Sequence, residues 1–229
     1  MPLYLTGGGD QSCFRNLDQF FLSEISDHAA MLVVPLAVDP EDYEDVMDRV
    51  GSCFQRKVDR FELAENVDKI DREELFEYDA VFIEGGNTFQ LVQAVRQSTF
   101  FNYLADYLAD DRIIYGDSAG AIILGEHVKT AFLGDEADED HEKLQDYRGL
   151  SLAGDWAIHC HYQSVEKDQI QDQLYETGIP ILALSESAGI YLTEKSLKVF
   201  GEEPLTVFNF SGAVDYPVGS ELELEALLS

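Results

Sequence analysis

The feature that most constrains the fold is a regular alternation of short apolar runs with segments of helical periodicity. Most of these runs are rich in aliphatic or β-branched side chains, a pattern typical of buried strands. Seven runs are predicted strands: residues 3–6, 31–38, 57–63, 80–83, 112–115, 156–162 and 181–184. This alternation predicts an α/β fold with a mainly parallel sheet and helices on both faces. In such folds ligands bind at the carboxyl ends of the strands, so we expect functional residues in the loops that follow strands.

Two of the intervening segments carry clear helix starts. Asp39-Pro40 combines an N-cap residue with a proline at the first helical position, and Asn87 is a second N-cap. Apolar residues then fall on one helical face, namely Tyr43, Val46, Val50 and Phe54 after the first start and Phe89, Leu91, Val92 and Val95 after the second.

The pattern changes in the last fifth of the chain. Short strand-like pieces at 189–193, 196–200 and 205–210 are separated by turn residues, which predicts a small antiparallel C-terminal edge. No repeat or linker interrupts the chain, so we expect one α/β domain spanning residues 1–229.

The charge balance excludes several classes of partner. The chain has 15 Lys and Arg against 45 Asp and Glu, a net charge of −30, and such a field repels nucleic acid and anionic membranes. A 45% hydrophobic content is enough for a folded core. There is no basic leader and no apolar run of about 18 residues, so we expect a cytoplasmic protein without a membrane partner. The charge suits a salt-rich cytoplasm, although an ordinary acidic cytosolic protein is the alternative.

The cysteines and the acidic segment do not indicate a disulfide framework or a metal. Cys13, Cys53 and Cys160 are widely spaced without a CxxC motif, so we expect reduced thiols. Residues 134–142 are nearly all acidic but lack the spacing of a calcium loop. We interpret this segment as a solvated loop.

The strongest local motif is Gly116-Asp-Ser-Ala-Gly120, which follows a predicted strand and precedes an apolar helix. It fits the G-x-S-x-G pattern of a nucleophile elbow, a tight turn that projects the serine hydroxyl above the sheet. This context predicts Ser118 as a nucleophile; the alternative is that Ser118 only caps the helix.

A second glycine loop, Gly85-Gly86-Asn87, follows the predicted strand at 80–83. Amides of this loop, together with the amide of Ala119, are suited to bind a developing oxyanion. Phosphate binding is the competing interpretation. The chain lacks a P-loop lysine and a complete G-x-G-x-x-G in its glycine loops, so we expect no cofactor.

A serine nucleophile needs a base and a group that orients the base. His159 and His161 lie near the end of a predicted strand, where period-two alternation places both on one face and Cys160 on the other. Either histidine suits the role. Two further readings, a metal bound by His159 and His161 and a Cys160 nucleophile, are less favoured. Glu186 follows the predicted strand at 181–184 and is the candidate orienting carboxylate.

Four of these motifs together resemble the dipeptidase E and cyanophycinase family of serine peptidases. They are residues 85–91 (GGNTFQL), 116–121 (GDSAGA), 158–162 (IHCHY) and 184–186 (LSE), in the order and spacing of that family. The resemblance extends from the first predicted strand to about residue 200. It implies a three-layer, flavodoxin-like fold similar to class I glutamine amidotransferases.

The resemblance also implies roles for individual residues. The family uses a Ser-His-Glu triad, which corresponds to Ser118, His161 and Glu186. His161 is chosen over His159 because an aromatic residue follows the family's histidine. The oxyanion site corresponds to the amides of Gly86 and Ala119.

The substrate that the resemblance implies is a short peptide or another small amide. Dipeptidase E prefers an amino-terminal aspartate, yet no arginine follows Arg148, and the helical segment after His161 offers only Lys167. The alternatives are an amidase or isopeptidase acting on a cyanophycin-like polymer, and a non-catalytic member that binds a small ligand. We expect a monomer or a homodimer. The candidate substrate contacts are Asn87, His159 and Asp117, the last of which either meets a free amine or reflects the acidic composition.

The net charge generates a prediction about salt. Repulsion among 45 carboxylates opposes folding, and 1 M salt shortens the Debye length to about 3 Å. We expect the melting temperature to rise by about 5 °C or more between dilute buffer and molar potassium chloride, roughly 2 kcal/mol for a chain of this size. Sucrose at equal osmolality is the control, because it stabilises without screening. Equal melting temperatures in dilute buffer and in salt would discard the idea of adaptation to high salt.

Overall fold

The computed structural model describes residues 1–228, with the side chains of Gln11 and Cys13 outside the described part. Within it the chain forms twelve strands: β1 (Leu3–Thr6), β2 (Ala29–Val34), β3 (Val58–Leu63), β4 (Ala80–Ile83), β5 (Ile113–Asp117), β6 (Ala157–His159), β7 (Ile181–Ala183), β8 (Ala188–Leu192), β9 (Ser196–Gly201), β10 (Leu205–Asn209), β11 (Gly212–Tyr216) and β12 (Glu221–Glu223). The α-helices in the same residues are α1 (Arg15–Glu24), α2 (Tyr43–Phe54), α3 (Arg72–Leu75), α4 (Thr88–Gln97), α5 (Phe100–Ala109), α6 (Ala119–Ile122), α7 (Lys167–Thr177) and α8 (Leu224–Leu227).

The larger sheet has eight strands in the order β12-β9-β8-β1-β5-β4-β2-β3. The five strands from β1 to β3 in this order are parallel, whereas β8, β9 and β12 run antiparallel at one side. The predicted α/β class with a mainly parallel sheet and an antiparallel C-terminal edge is therefore confirmed.

A second sheet is the main feature that the sequence pattern did not predict. Strands β6 and β7 pair in parallel with each other but belong to a four-stranded sheet, ordered β11-β10-β7-β6. The C-terminal strands are thus divided, with β8, β9 and β12 in the larger sheet and β10 and β11 in the smaller one. Apolar periodicity shows that a strand is buried, but it does not show which neighbour it pairs with.

Period-two alternation explains how the larger sheet buries both faces. On β1, Leu3 and Leu5 face one core while Tyr4 faces the other, and β2, β4 and β5 divide in the same way. The second core, which includes residues of α1 and α2, is aromatic. Tyr4 stacks on Tyr115 with ring centroids 5.9 Å apart, and Tyr115 stacks on Phe82 at 5.3 Å.

Strands β6 and β7 of the smaller sheet are buried on both faces as well. Residues Ile158 and Leu182 belong to the core of the larger sheet, whereas Ala157 and Ile181 pack with Leu174 of α7. This arrangement brings the end of β6 close to the end of β1.

The predicted helix starts agree with the structure. Asp39 is the N-cap of a short 3₁₀ turn with Pro40 at its first position, and this turn leads directly into α2. The side chain of Asn87 caps α4 by accepting a hydrogen bond from the Gln90 amide at 3.0 Å.

Two predicted strands end three or more residues before their predicted ends, whereas others differ from their predicted bounds by one or two residues. The strand predicted at 31–38 is Ala29–Val34, because Pro35 ends it. The strand predicted at 156–162 stops at His159. The expectation that His159 and His161 share a strand face is therefore wrong, since His161 lies beyond the strand with a positive φ of 56°.

The helices and the cysteines of the described residues bear on two further expectations, those about membranes and about thiols. No helix in residues 1–228 is long and apolar enough to cross a bilayer. Cys160 is a reduced thiol, in agreement with expectation, while the side chain of Cys13 lies outside the described residues.

Candidate active site

Ser118 occupies a sharp turn between β5 and the short helix α6. Its backbone has φ 47° and ψ −114°, a conformation that L-residues rarely adopt, and its amide donates to the carbonyl of Thr6 at 3.1 Å. A Cβ atom on Gly120 would overlap the carbonyl of Ile83, so the motif needs a glycine there. Ser118 makes no side-chain cap hydrogen bond to α6, which contradicts the alternative that it only caps the helix.

The hydroxyl of Ser118 contacts His161 instead, and His161 in turn contacts Glu186. Ser118 Oγ lies 2.8 Å from His161 Nε2, and His161 Nδ1 lies 3.2 Å from Glu186 Oε1. An ionised carboxylate only accepts hydrogen bonds, so Nδ1 carries the proton and Nε2 is left to accept from the serine hydroxyl. The structure therefore brings together the three residues that the motifs singled out, in the order that proton transfer from the serine requires.

Backbone contacts between the two sheets place His161. Its amide donates to the carbonyl of Gly7 at 3.1 Å, and the amide of Tyr162 donates to Leu184 at 3.0 Å. Gly7 itself donates to Ala188 at 3.0 Å. These bonds fasten the loop after β6 to the loop after β1 and to the connection between β7 and β8, which carries Glu186.

The glycine triplet after β1 is a part of the site that sequence reasoning missed. A Cβ atom on Gly8 would lie 2.5 Å from His161 Cε1 and 2.8 Å from Ser118 Cβ, and Gly8 has φ +92°. A Cβ on Gly9 would overlap the carbonyl of Glu186. Hence the backbone at 7–9 packs against all three residues at distances that side chains do not permit. Three consecutive glycines after a buried strand were the available signal.

Two backbone amides beside Ser118 are free to receive an anion. Within the described part of the chain, the amides of Gly86 and Ala119 donate no hydrogen bond, whereas that of Gly85 donates to Glu84 Oε1 at 2.9 Å. A Cβ on Gly85 would lie 3.0 Å from Ser118 Cβ, so this loop passes directly over the serine. The expected oxyanion donors, Gly86 and Ala119, therefore have the required freedom.

Ser118, His161, Gly8 and Gly86 line a cleft of about 790 Å³ at the carboxyl ends of β1, β4 and β5. The cleft is strongly acidic. Among the described residues that line it, Arg49 is the sole lysine or arginine, against the carboxylates of Asp10, Glu84, Asp117, Glu136, Asp138 and Glu166.

Arg49 and two carboxylates form a partly buried cluster beside the serine. Arg49 pairs with Glu84 and lies 3.9 Å from Asp117 Oδ2, while Thr6 Oγ1 donates to Asp117 Oδ1 at 2.5 Å. Burial raises the pKa of Glu84 to about 7 despite the neighbouring guanidinium, and burial likewise raises the pKa of Asp117. Asp117 lines the cleft, as expected for a substrate contact; Arg49 and Glu84 were not identified from the sequence.

His159 and Asn87, the other expected substrate contacts, are held by bonds within the protein. His159 lines the cleft, but its Nε2 lies 2.9 Å from Glu166 Oε2 and its Nδ1 lies 3.3 Å from the Thr130 carbonyl. Asn87 caps α4 and donates through Nδ2 to the Glu139 carbonyl at 3.0 Å. Both the oxygen and the nitrogen of its side-chain amide are thus bonded within the protein, and Asn87 is not among the residues that line the cleft.

Cys160 has the environment of a structural thiol. It is buried, its Sγ lies 3.5 Å from the carbonyls of Thr6 and Ser118, and burial raises its pKa far above the ordinary thiol value. A neutral thiol bonded to carbonyl groups is a poor nucleophile, which removes the Cys160 alternative.

The acidic segment at 134–142 is not a free solvated loop. Asp138 Oδ2 accepts the amide of Thr88 at 2.8 Å, and Asp140 accepts the hydroxyl of Tyr147 at 3.0 Å. The segment therefore packs against the start of α4 and forms one wall of the cleft. Residues 1–228 contain no group of three or more His, Cys, Asp or Glu arranged to hold a metal ion.

This chain places a serine hydroxyl in contact with a histidine on an α/β sheet covered by helices on both faces, an arrangement typical of serine hydrolases and peptidases. It belongs to Peptidase family S51, the dipeptidase E and cyanophycinase family, whose sequence model matches residues 3–200. The resemblance stated from the four motifs is thereby confirmed. Among curated proteins, the chain is 23% identical over 203 residues to an uncharacterized peptidase of Pasteurella multocida (strain Pm70), covering 83% of this chain and 95% of that protein.

Solved structures share the fold at low sequence identity. A putative peptidase E from Listeria monocytogenes EGD-e superposes with a TM-score of 0.69 at 18% identity, covering 87% of this chain and 98% of that one. A peptidase from an acI-B1 Actinobacterium has a TM-score of 0.74 at 13% identity, covering 97% and 96%. At these identities the likeness is one of fold.

The packing of Gly8 generates a prediction. We expect Gly8→Ala to displace the His161 ring and to slow the labelling of Ser118 by a fluorophosphonate about 100-fold, because the new methyl group occupies the space of the ring. Gly154→Ala is the matched control. Gly154 also has a positive φ, +72°, but nothing lies within 4 Å of its Cβ position. Both variants place alanine at a positive φ, which costs a similar backbone strain of about 1 kcal/mol. Only Gly8→Ala should lose reactivity, because only its methyl group meets the His161 ring. Labelling of Gly8→Ala at the wild-type rate would contradict the positioning role.

The raised pKa of Glu84 predicts a dependence of stability on pH. Its pKa is raised from 4.5 to about 7. Between these pH values the Glu84 carboxyl is ionised in the unfolded chain but protonated in the folded chain. The free energy of unfolding should therefore fall as pH rises from 4.5 to 7, by at most about 1.4 kcal/mol per unit, and level off above 7. Glu84→Gln should remove this component, as measured by urea unfolding from pH 5 to pH 8. The exposed Glu139→Gln should keep the wild-type slope, and an unchanged slope in Glu84→Gln would refute the assignment.

Proposed function

We propose that this chain hydrolyses short peptides through an acyl-enzyme, with Ser118 as nucleophile, His161 as general base and Glu186 as the carboxylate that orients the imidazole. The observation that carries the proposal is the continuous series of contacts from Ser118 Oγ to His161 Nε2 at 2.8 Å and from His161 Nδ1 to Glu186 Oε1 at 3.2 Å. Both distances lie within or at the edge of hydrogen-bond range, as general-base catalysis requires.

The geometry supports a two-step reaction. Ser118 Oγ attacks the peptide carbonyl carbon while His161 Nε2 takes the hydroxyl proton, and Glu186 stabilises the imidazolium that forms. His161 then delivers this proton to the departing amine, and the C–N bond breaks. A water molecule, deprotonated by His161, next attacks the acyl-serine ester and releases the carboxylic acid with return of the proton to Ser118.

The free amides beside the serine support stabilisation of the transition state. The amides of Gly86 and Ala119 donate no hydrogen bond within residues 1–228. Unused donors next to the attacking oxygen are what an oxyanion hole consists of, and a single such donor contributes about 3 kcal/mol in other serine hydrolases. The strained φ of 47° at Ser118 keeps its hydroxyl at this position.

The dimensions of the cleft support a small substrate. Its volume of about 790 Å³ is within the range of about 300–1,000 Å³ that is typical of small-molecule sites. A dipeptide or tripeptide fits such a volume. Asp117 lines the cleft one residue before the nucleophile, and we include it among the groups that meet the substrate.

The proposal is tested by fluorophosphonate labelling and by hydrolysis of a dipeptide panel. We expect Ser118→Ala to abolish labelling and to reduce kcat/KM by at least about 10⁴-fold, since removal of a triad member leaves only binding and the oxyanion site. Ser151→Ala is the matched control, because Ser151 is another serine with a positive φ, 53°, and is exposed away from the cleft. It should label and hydrolyse like the wild type.

Other outcomes of the labelling and hydrolysis experiments would each favour a different alternative. If folded wild-type protein neither labels nor cleaves any peptide of the panel, the chain is a non-catalytic member of the fold that binds a small ligand. If Ser118→Ala still labels, the nucleophile is a different residue. Cleavage of capped amides but not of dipeptides would instead favour the amidase alternative.

A further inference from the structure

One side of the cleft carries three carboxylates that the proposed reaction does not use. We name it the acidic wall and define it as Glu136, Asp138 and Glu166. An acidic surface is expected in a chain with a net charge of −30, but that composition does not explain charges placed inside a cleft. Glu166 in particular is 4% exposed.

Glu166 is buried and ionised, and one of its two carboxylate oxygens accepts no hydrogen bond from the described residues. Its Oε2 accepts from His159 Nε2 at 2.9 Å and from the Gln163 amide at 3.2 Å. Burial opposes its ionisation, but these hydrogen bonds outweigh burial and lower its pKa. Its Oε1 accepts no hydrogen bond from the residues that the structure describes. A carboxylate oxygen left open at the lining of a cleft is an acceptor for a charged donor from a ligand.

A buried hydroxyl on the same side of the cleft also lacks a partner. Thr88 is fully buried and lines the cleft, yet its Oγ1 makes no hydrogen bond. Its amide is bonded to Asp138 Oδ2 at 2.8 Å, so this hydroxyl lies beside the acidic wall. A buried polar group without a partner costs about 1–3 kcal/mol, which a hydrogen bond made through a bound molecule recovers.

The acidic wall is held in place by the backbone around it. The amide of Asp138 donates to the carbonyl of Ala131 at 2.8 Å. Gly134 approaches Glu166 so closely that a Cβ there would overlap Glu166 Oε1. Ala131 and Leu133 line the cleft in the same segment and provide apolar surface between the carboxylates.

Among the described residues that line the cleft, no lysine or arginine contacts the acidic wall, and His159 is a hydrogen-bond partner of Glu166. Arg49, the single lysine or arginine among the described lining residues, pairs with Glu84 and lies near Asp117. The potential along the acidic wall is therefore negative, and it attracts a positively charged ligand.

We propose that the acidic wall binds a cationic side chain of the substrate, so that preferred substrates are short peptides with lysine or arginine next to the scissile bond. The aliphatic stem of such a side chain lies against Ala131 and Leu133, and its charged end meets the carboxylates and the hydroxyl of Thr88. This inference rests on the proposed peptidase function and specifies its substrate class.

The first test is a panel of dipeptides that differ in a single side chain. Lysine, arginine, norleucine and aspartate are each placed before leucine, and each again after leucine. Norleucine has nearly the length of lysine without its charge. We expect kcat/KM for lysine or arginine to exceed that for norleucine by about 10-fold or more at low salt, and aspartate to be poorest. The preference should decline as potassium chloride rises to 1 M. Equal rates for lysine and norleucine, or a preference for aspartate, would overturn the inference.

The second test assigns the preference to the acidic wall. Glu136 is exposed and makes no hydrogen bond or ion pair in the described structure, so Glu136→Gln should fold normally. We expect it to lower the lysine-to-norleucine ratio of kcat/KM about 3-fold or more. Glu139→Gln is the matched control, since Glu139 lies in the same loop with its side chain 83% exposed and outside the cleft lining. It should keep the wild-type ratio; equal loss in both variants would show an unspecific effect of net charge and contradict the inference.

A binding measurement separates failure of this inference from failure of the proposed function. Calorimetric titration of Ser118→Ala with lysyl-leucine and with norleucyl-leucine needs no hydrolysis. Tighter binding of lysyl-leucine supports the acidic wall even if the wild type cleaves neither peptide. Equal affinities, together with cleavage of both by the wild type, would leave the peptidase function intact and refute the cation site.

Discussion

The whole site depends on the hydrogen bond from the His161 amide to the Gly7 carbonyl, because it joins the two sheets at the point where their loops meet. His161 follows a strand of the smaller sheet, whereas Ser118 follows a strand of the larger one. Without a fixed link between the sheets, the imidazole has no defined distance to the hydroxyl. The glycine at position 8 makes the link possible, since a Cβ atom there would overlap both the His161 ring and Ser118. Steric exclusion and one backbone bond therefore set the geometry on which the chemistry rests.

The carboxylates on the surface and those inside the cleft have different surroundings. On the surface, most of the 45 carboxylates are solvated, and salt screens their repulsion. Inside the cleft, each buried carboxylate has a specific partner: Glu84 has Arg49, Asp117 has Thr6, and Glu166 has His159. These partners hold the carboxylates in place but leave the cleft with an excess of negative charge. That excess is the physical basis of the proposed preference for a cationic side chain of the substrate.

Much of the fold was predictable because hydrophobic periodicity is a local signal. The strands at 3–6 and 80–83 agree with the structure to the residue, and the helix starts at Asp39 and Asn87 were read from capping chemistry. The second sheet was not predictable, since the residues of a single strand do not show which distant strand it pairs with. The end of β6 was missed for a related reason: Cys160 is buried like a strand residue, but its thiol contacts loop carbonyls. Asn87 illustrates the same limit, because the loop that uses its amide lies some 50 residues away in sequence.

The sequence by itself determined the α/β class, the turn that carries Ser118 and the set of residues from which a base and its partner had to come. Those properties follow from periodicity, small residues and short motifs, which act over a few neighbouring positions. The family resemblance favoured His161 over His159 as the base. Only the tertiary structure decided that the His161 ring meets the serine hydroxyl, that Arg49 and Glu84 lie beside the serine, and that an acidic loop is a wall of the cleft. These outcomes depend on which surfaces pack together between segments 35 to 50 residues apart in sequence. Such contacts are determined by shape and by the burial of charge.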